Sequence, residues 1–472
     1  MIDTTALQSF LERQRWFSGK GRGGEVVGVQ TVGWLRRELP AVRIALVDVR
    51  YRDGVLDTFQ LPLVHYPHPV DRLSHAFVAE ERDGEAGQTW LYDALHDKDV
   101  TGLWLEGIDA GSGAGMSGAE GVSFHRAPGE PSLPVGAPSI VIGAEQSNTS
   151  LIFGDLAILK VFRRVSPGLN PDIEVHDALA RAGSTHVAQP LGWVEGCWQD
   201  RASGQTVNGS LAMAQCFLRN STEGWELAKT SVRDLLAEGD LHADEVGGDF
   251  AGEAWRLGRA TAEVHADLAR TLLTGTFGSE ELRRLAHGMR ARLDAAAAEV
   301  EELPPYVDAL RATFDELAAL DALVPVQRIH GDFHLGQVMR TLDGWKLLDF
   351  EGEPAKSLEE RRALDSPIRD VAGMLRSFDY AAHHLLYADE RVDPQREYRA
   401  TEWAERNKEA FCDGYAAAAG RDPRESGPLL RAFETDKAVY EAVYEARNRP
   451  TWKRIPLTAI ERLASAGQRR TM

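Results

Sequence analysis

From residue 330 to 351 the chain reads HGDFHLGQVMRTLDGWKLLDFE, and its oxygen-bearing side chains are spaced for one kind of chemistry. Gln337 comes five residues after Asp332, and Asp349 follows a turn at Asp343-Gly344 and a short apolar strand. Hard divalent cations take oxygen ligands, accept few of them from protein and leave the rest to phosphates and water. Gln337 and Asp349, brought together by a hairpin, meet that need, and Asp332 is left free to orient and deprotonate a hydroxyl. Phosphoryl transfer asks little more of a protein than positioning, charge neutralisation and such a base. A His-Gly-Asp triplet alone carries little weight, but the amide five residues on and the Asp-Phe-Glu downstream make the pattern specific.

Such a site needs a cation for the donor's phosphates. Lys160 sits in the apolar run AILKVF, and Glu174 lies on the helix expected after it. A strand lysine paired with a helix glutamate is one way to fix nucleotide phosphates. Ahead of Lys160 the stretch GAEQSNTS (143–150) joins two strands. Ser147, Asn148, Thr149 and Ser150 offer hydroxyl, amide and backbone donors there, where a glycine-rich loop would otherwise be expected.

The elements that must position these residues are legible from periodicity. Residues 2–13 have a helical apolar stripe, and RWFSGKGRGG (15–24) ends it. VRIALVDVRY (42–51) and TFQLPLVHYP (58–67) read as strands of a small antiparallel sheet. The Gly/Ser/Ala-rich run 109–121 reads as a flexible loop and the Pro-rich run 128–138 as a boundary. Residues 139–164 read strand, turn, strand, turn, strand, and Asn170 is placed to cap a helix that has Pro171 in its first turn. From about Thr222 onward the pattern is mainly helical, with clear stripes over 251–271 and 369–387. In the second stripe Val371, Met374, Leu375, Phe378, Ala382 and Leu385 face one way. His383 and His384 are expected against solvent or a neighbouring helix, and Cys412 in the core.

Composition narrows the class. With 53 Lys plus Arg against 72 Asp plus Glu, the formal charge of −19 disfavours nucleic acid and anionic membrane as partners. Three scattered cysteines, with no CxxC spacing, fit neither a disulfide framework nor a zinc site and suit a reducing cytoplasm. The N-terminal residues lack the apolar run of a signal peptide, and no stretch approaches the length of a membrane span.

These pieces together carry a resemblance. HGDFHLGQ with LLDFEGEP resembles the catalytic and metal-binding region of the aminoglycoside phosphotransferase superfamily, a branch of the protein-kinase-like fold. RQRWFSGKGR, EQSNTSLIFGDLAILKVFRR with NPDIE, FLRNSTEGWELA, DSPIRDVAGMLRSFDYAA and DKAVYEAVYEARNRP extend the likeness, within that superfamily, to the bacterial maltokinases. The resemblance implies an α+β, bilobal protein-kinase-like fold with an N-terminal antiparallel β cap subdomain and a mainly helical C-terminal lobe. The expected divisions are a cap at 1–100, a β-rich nucleotide-binding subdomain at 101–221 and a helical catalytic and acceptor-binding lobe at 222–472.

The resemblance also implies roles. Asp332 falls on the base and His330 on the residue that braces its loop. Gln337, Asp349 and the nearby Glu351 fall on the Mg²⁺ site, with glutamine where many relatives use asparagine. Lys160 falls on the lysine that holds ATP phosphates, Glu174 on its partner, and Gln215, Phe217 and Leu218 on the hinge against adenine. The implied reaction is phosphorylation of maltose by ATP to maltose 1-phosphate, feeding glucan synthesis from trehalose, with a trehalose synthase as a candidate partner.

For the acceptor, Lys437, Tyr440, Tyr444 and Arg447 fall three or four apart on one helix face, with Trp452 after it. Flat rings pack on pyranose faces and cations donate to hydroxyls, so these five are candidate sugar contacts; equally, the tyrosines could be core packing. Two other readings stay open. One is a kinase of the same fold acting on glucosamine or an aminoglycoside, for which Asp365, Asp370, Glu409 and Asp413 could supply carboxylates to an ammonium group. The other is a catalytically silent scaffold, against which Lys160, Asp332, Gln337 and Asp349 all speak.

Overall fold

The computed structural model describes residues 2–84, 87–111, 121–128, 133–143, 147–238, 240–353, 356–386 and 393–468. Most of the Gly/Ser/Ala-rich run, residues 129–132 of the Pro-rich boundary, 144–146 of the serine-rich turn, and Pro354 lie outside them. The chain forms two compact units: residues 1–177 with 188–219, and residues 178–187 with 220–472.

The first unit contains two antiparallel sheets. Helix α1 (Thr4–Arg13) precedes strands β1 (Glu25–Arg36), β2 (Ala41–Arg50), β3 (Leu56–Tyr66), β4 (Phe77–Gly84) and β5 (Gly87–Asp93), ordered β1-β2-β3-β5-β4. Helix α2 (Gly102–Ala110) leads to β6 (Val122–Arg126), β7 (Ser139–Ile142), β8 (Asn148–Phe153), β9 (Ala157–Phe162) and β10 (Arg164–Val165), which returns to β3. Helix α3 (Pro171–Ala182) crosses into the second unit, and β11 (Pro190–Gln199) and β12 (Thr206–Cys216) complete a sheet ordered β6-β11-β12-β9-β8-β7.

Strand β2 explains why the first sheet is not a half-solvated one. AVRIALVDVR is buried at nine consecutive positions, the charged Arg43 and Asp48 among them, so the strand is covered on both faces. One face, through Ala45, Val47 and Val49, packs with Phe59 of β3 against Leu7, Phe10 and Leu11 of α1 and against Trp16 and Phe17. The other, through Val42, Ile44 and Leu46, joins Trp104, Leu151, Leu159 and Leu211 in a core shared with the second sheet. The motif RWFSGKGR thus supplies Trp16 and Phe17 as core side chains.

Polar groups stitch the two sheets. Gln60 Nε2 donates to the carbonyls of Phe162 and Leu211 at 2.8 and 2.9 Å. Arg163 is wholly buried; its Nη2 reaches Asp93 Oδ2 at 2.6 Å, its Nε donates to Thr149 Oγ1 at 2.8 Å, and its guanidinium lies 4.5 Å from the Trp16 ring centroid.

The second unit is mainly helical. After β13 (Thr222–Glu223) come α4 (Gly224–Ala237), α5 (Ala251–Thr271), β14 (Thr274–Phe277), α6 (Ser279–Glu299), α7 (Val307–Ala318) and β15 (Val324–Gln327). A hairpin of β16 (Val338–Thr341) and β17 (Gly344–Leu347) precedes α8 (Leu358–Arg362), α9 (Ile368–His383), α10 (Pro394–Ala419), α11 (Gly427–Asn448) and α12 (Arg454–Gln468). Phe250, Phe378, Trp403 and Phe411 meet edge-on or tilted with centroids about 6 Å apart, and so lock α5, α9 and α10 together.

One detail differs from the sequence reading, and a second narrows it. Leu385 lies past the end of α9 and is exposed, so the stripe stops at Ala382. His383 and His384 are buried, with the His384 ring beside Trp225 of α4 and beside Trp452, so of the two settings expected for them the structure gives the neighbouring helix.

Asp93→Ala should leave the Arg163 charge buried without a carboxylate, which typically costs about 3–5 kcal/mol. Urea unfolding should register a loss of that order, and a loss below about 1 kcal/mol would show that the pair does not hold the two sheets.

Candidate active site

The loop 328–337 joins β15 to the β16–β17 hairpin of the second unit. Its shape is set from α9. Asp370, in the first turn of that helix and almost fully buried, accepts the backbone N–H of His330 at 2.8 Å and of Gly331 at 2.9 Å. His265 Nε2 of α5 approaches the same carboxylate at 3.1 Å, and His265 Nδ1 is 3.0 Å from the Tyr415 hydroxyl of α10. Burial alone would raise the Asp370 pKa, but hydrogen bonding and charge from His265, then His330 and the Gly331 N–H, lower it. Gly331 adopts φ +84°, a conformation that glycine takes without Cβ strain. Gly373, one turn along α9, is the second obligatory glycine, because a Cβ there would lie 2.6 Å from the Phe333 carbonyl oxygen.

His330 braces the loop from inside. Its Nε2 lies 2.8 Å from the Leu348 carbonyl and therefore donates; Nδ1 is left as acceptor, facing the Asp332 N–H at 3.4 Å. The loop is further pinned where the Leu335 N–H donates to Ser377 Oγ at 3.0 Å. Gln337 Nε2 donates to Asp349 Oδ2 at 3.2 Å, so the amide and the carboxylate predicted to share an ion do meet. Asp349 holds φ +60°, a region unfavourable to a residue with a side chain, which is consistent with a backbone constrained to aim its carboxylate. Gln337 Oε1 and the Asp349 carboxylate form a hard-oxygen set that fits a divalent cation such as Mg²⁺. Glu351 lies two residues on, with Arg361 Nη1 3.2 Å from its backbone carbonyl and 4.0 Å from its carboxylate.

Asp332 is partnered by Lys437, whose Nζ is 3.1 Å from Oδ1. Burial works to raise the Asp332 pKa; the Lys437 ammonium, then His334 and His330, outweigh it and lower it to about 2. Beside this pair opens a cavity of about 320 Å³. Six carboxylates (Asp332, Glu353, Glu360, Asp365, Asp370 and Asp436) and four cations (Arg292, Lys356, Arg369 and Lys437) line it. The other three cations also have acid partners in the wall: Arg292 binds Asp436 at 2.8 Å, Lys356 binds Glu353 at 2.9 Å and Arg369 binds Asp365 at 2.7 Å.

The predicted sugar contacts divide. Lys437 and Tyr440 line the cavity, whereas Tyr444, Arg447 and Trp452 do not. Tyr444 is exposed and stacks on Tyr440 with ring centroids 6.2 Å apart. Arg447 binds Glu299 of α6, and Trp452 lies under Arg449 at 4.4 Å. Among the carboxylates considered for an ammonium group, Asp365 and Asp370 reach the cavity, but both Asp370 oxygens are already engaged by the loop. Glu409 and Asp413 lie on α10 away from it; Asp413 pairs with Arg424.

In the first unit Lys160 Nζ stands 3.1 Å from Asp172 Oδ2. Asp172, buried in the first turn of α3, is thus an acid on this lysine, and Glu174 is half-buried two residues on. Asn170 Oδ1 caps α3 by accepting the Asp172 N–H at 2.8 Å, which brings that carboxylate to the strand. The serine-rich turn also narrows. Thr149 and Ser150 lie buried within β8, with Thr149 Oγ1 taken by Arg163, and Ser147 alone of the four stays exposed. Asn148 Nδ2 lies 3.3 Å from Ser147 Oγ. Gln215 and Cys216 end β12, and Phe217 N–H donates to the Leu156 carbonyl at 2.9 Å just before Leu218 and the limit of the unit at Arg219.

Residues 140–421, more than half the sequence, match the phosphotransferase enzyme family. The chain belongs to that family. Residues 10–97 match the maltokinase N-terminal cap domain. A glucosamine kinase of Streptacidiphilus jiangxiensis is 31% identical over 327 residues, covering 66% of this chain and 70% of the relative. One from Mycolicibacterium smegmatis is 27% identical over 341 residues, 69% of this chain and 79% of the relative. Among solved structures, a glucosamine kinase (crystal form B) superposes with a TM-score of 0.69 at 23% identity, covering 96% of this chain and 98% of the other. A glucosamine kinase in complex with glucosamine, ADP and inorganic phosphate gives a TM-score of 0.67 with the same identity and coverage. The fold is thus α+β and kinase-like, and the protein is a phosphotransferase. Among the described residues no helix is long and apolar enough to cross a membrane.

Asp370→Asn keeps the side-chain shape but replaces one accepting oxygen with a donor, so the loop should shift. A misplacement near 1 Å can cost about 100-fold in rate. Steady-state phosphotransfer should show such a fall in kcat with unchanged far-UV dichroism; a kcat within about threefold of wild type would contradict this assignment of Asp370.

Proposed function

We propose that the protein is an ATP-dependent sugar kinase whose acceptor is an amino monosaccharide of the glucosamine class. The observation that carries the acceptor is the excess of carboxylates in the wall of the small cavity beside Asp332. A site with net negative charge favours an ammonium-bearing ligand over a neutral one of the same shape. The two glucosamine kinases among the relatives support the reading. So does the position of Tyr444 and Trp452 outside the cavity, since a disaccharide would need such a platform beside the reacting hydroxyl.

In this reading Asp332 accepts the proton of the sugar hydroxyl as its oxygen takes the γ-phosphoryl group and the bond to ADP breaks. Asp370 and His330 fix the loop that aims Asp332. Gln337 and Asp349, with Glu351 near them, would hold a divalent ion, which supplies charge neutralisation to the phosphates when bound. Lys160, oriented by Asp172, with Ser147, Asn148 and the segment 215–218, forms the proposed ATP contacts. The three-part division at residues 100 and 221 and a cytoplasmic location belong to the same proposal.

Maltose remains the second reading, favoured by the match of residues 10–97 to the maltokinase cap. Coupled ADP detection with glucosamine, N-acetylglucosamine, glucose and maltose separates the two. Glucosamine should give the highest kcat/KM, N-acetylation of the amine should lower it at least about 100-fold, and Asp332→Asn should abolish turnover. Preference for maltose over glucosamine would overturn the amino-sugar assignment.

A further inference from the structure

We propose that Lys437 acts as the cation for the transferred phosphoryl group, held in reserve on the catalytic carboxylate, and not as a donor to acceptor hydroxyls. The inference rests on the kinase reading of the site and goes beyond it. The loop HGDFHLGQ contains neither Lys nor Arg, so it supplies no fixed positive charge next to Asp332. Its second histidine does not fill the gap. His334 Nδ1 accepts the Gly336 N–H at 3.0 Å, and burial pushes the imidazole pKa down. The charge comes instead from α11, 105 residues away in sequence, where Lys437 Nζ meets Asp332 Oδ1 at 3.1 Å.

The other cations of the cavity are not equivalent to it. Arg292, Lys356 and Arg369 each bind a carboxylate that is not the base. Among the described residues Lys437 has Asp332 as its ion-pair partner. Glu353, on the segment after the hairpin, and Glu441, one turn along α11, also act on its charge, but Glu441 is engaged by Arg376 at 2.7 Å and Glu353 by Lys356. Tyr440 presents its ring 5.3 Å from the ammonium.

Lys437 holds Oδ1 of Asp332, and the carboxylate has a second oxygen to accept an acceptor hydroxyl. The ammonium therefore sits across one carboxylate from the oxygen that will bond to phosphorus, within reach of the non-bridging oxygens of the group in flight. There its charge gains value as the bond to ADP breaks, the bond to the sugar oxygen forms and the proton passes to Asp332. An interaction stronger in the transition state than in the ground state raises kcat and leaves KM little changed. A lysine that merely donated to a sugar hydroxyl would act equally on bound substrate and transition state, and its loss would raise KM.

Kinetics of Lys437→Met and Lys437→Arg test this, with ADP release followed at saturating ATP. Lys437→Met should lower kcat by about 100-fold or more, with the acceptor KM changed less than about threefold, and Lys437→Arg should recover part of the rate. The acidic limb of kcat/KM should move to higher pH in Lys437→Met, because a carboxylate that loses its neighbouring cation protonates more readily. ATP affinity measured without acceptor should stay within about threefold, which separates the effect from misfolding. A raised acceptor KM with kcat retained, or no change in either, overturns the proposal. If wild-type protein phosphorylates no sugar, the kinase reading fails first. Slow ATP hydrolysis, with water as acceptor, then still reads Lys437, and an undiminished rate in Lys437→Met overturns it.

Discussion

A single buried carboxylate, Asp370, organises the loop that carries Asp332. Its two oxygens take the N–H groups of His330 and Gly331, and His265 closes on it from another helix. An ionised group in such surroundings is costly unless its hydrogen bonds are satisfied, and the backbone of the loop is what satisfies it. The energy of burying the charge and the shape of the loop are therefore one quantity. Because α5, α9 and α10 carry His265, Asp370 and Tyr415, the packing of Phe250, Phe378, Trp403 and Phe411 fixes the relay, the relay fixes the loop, and the loop aims Asp332.

How much of this was legible in the sequence depended on whether the signal was local. Gln337 and Asp349 are joined by a four-residue strand on each side of a tight turn, so spacing alone brought them together, and the structure does so at 3.2 Å. Strand β2 and helix α5 were readable because richness in β-branched residues and a 3.6-residue stripe are properties of the segment itself. Asp370 was not readable as the loop's anchor. On paper it is an acid in the first turn of an amphipathic helix, where solvated acids are common; only the approach of α9 to residues 330 and 331, enforced at Gly373, gives it partners.

Lys160 shows the same limit at shorter range. Asp172 and Glu174 share the first turn of α3, and helical geometry places them about 200° apart. That Asp172 meets Lys160 is set by the entry angle of the helix, which the Asn170 cap and the burial of Ile173 and Val175 in the core determine. Thr149 was misread as part of a polar turn because hydroxyl-rich stretches signal turns. Its partner, the buried Arg163, is fourteen residues away, and a β-branched hydroxyl residue fits a strand as readily. On α11 the spacing of Tyr440 and Tyr444 was right, yet the cavity ends after the first of them. Face was predictable; the point at which neighbouring helices close the pocket was not.

The dependence of the loop on Asp370 can be measured without any substrate. Residue-resolved amide hydrogen exchange at His330 and Gly331 reports directly on the two bonds that the carboxylate accepts. The account predicts that both amides in the wild-type protein exchange as slowly as those of the buried helix α9, and that both are released in Asp370→Ala while the amides of α6 and α7 keep their protection. Exchange of the two wild-type amides at the rate of an exposed loop would contradict it.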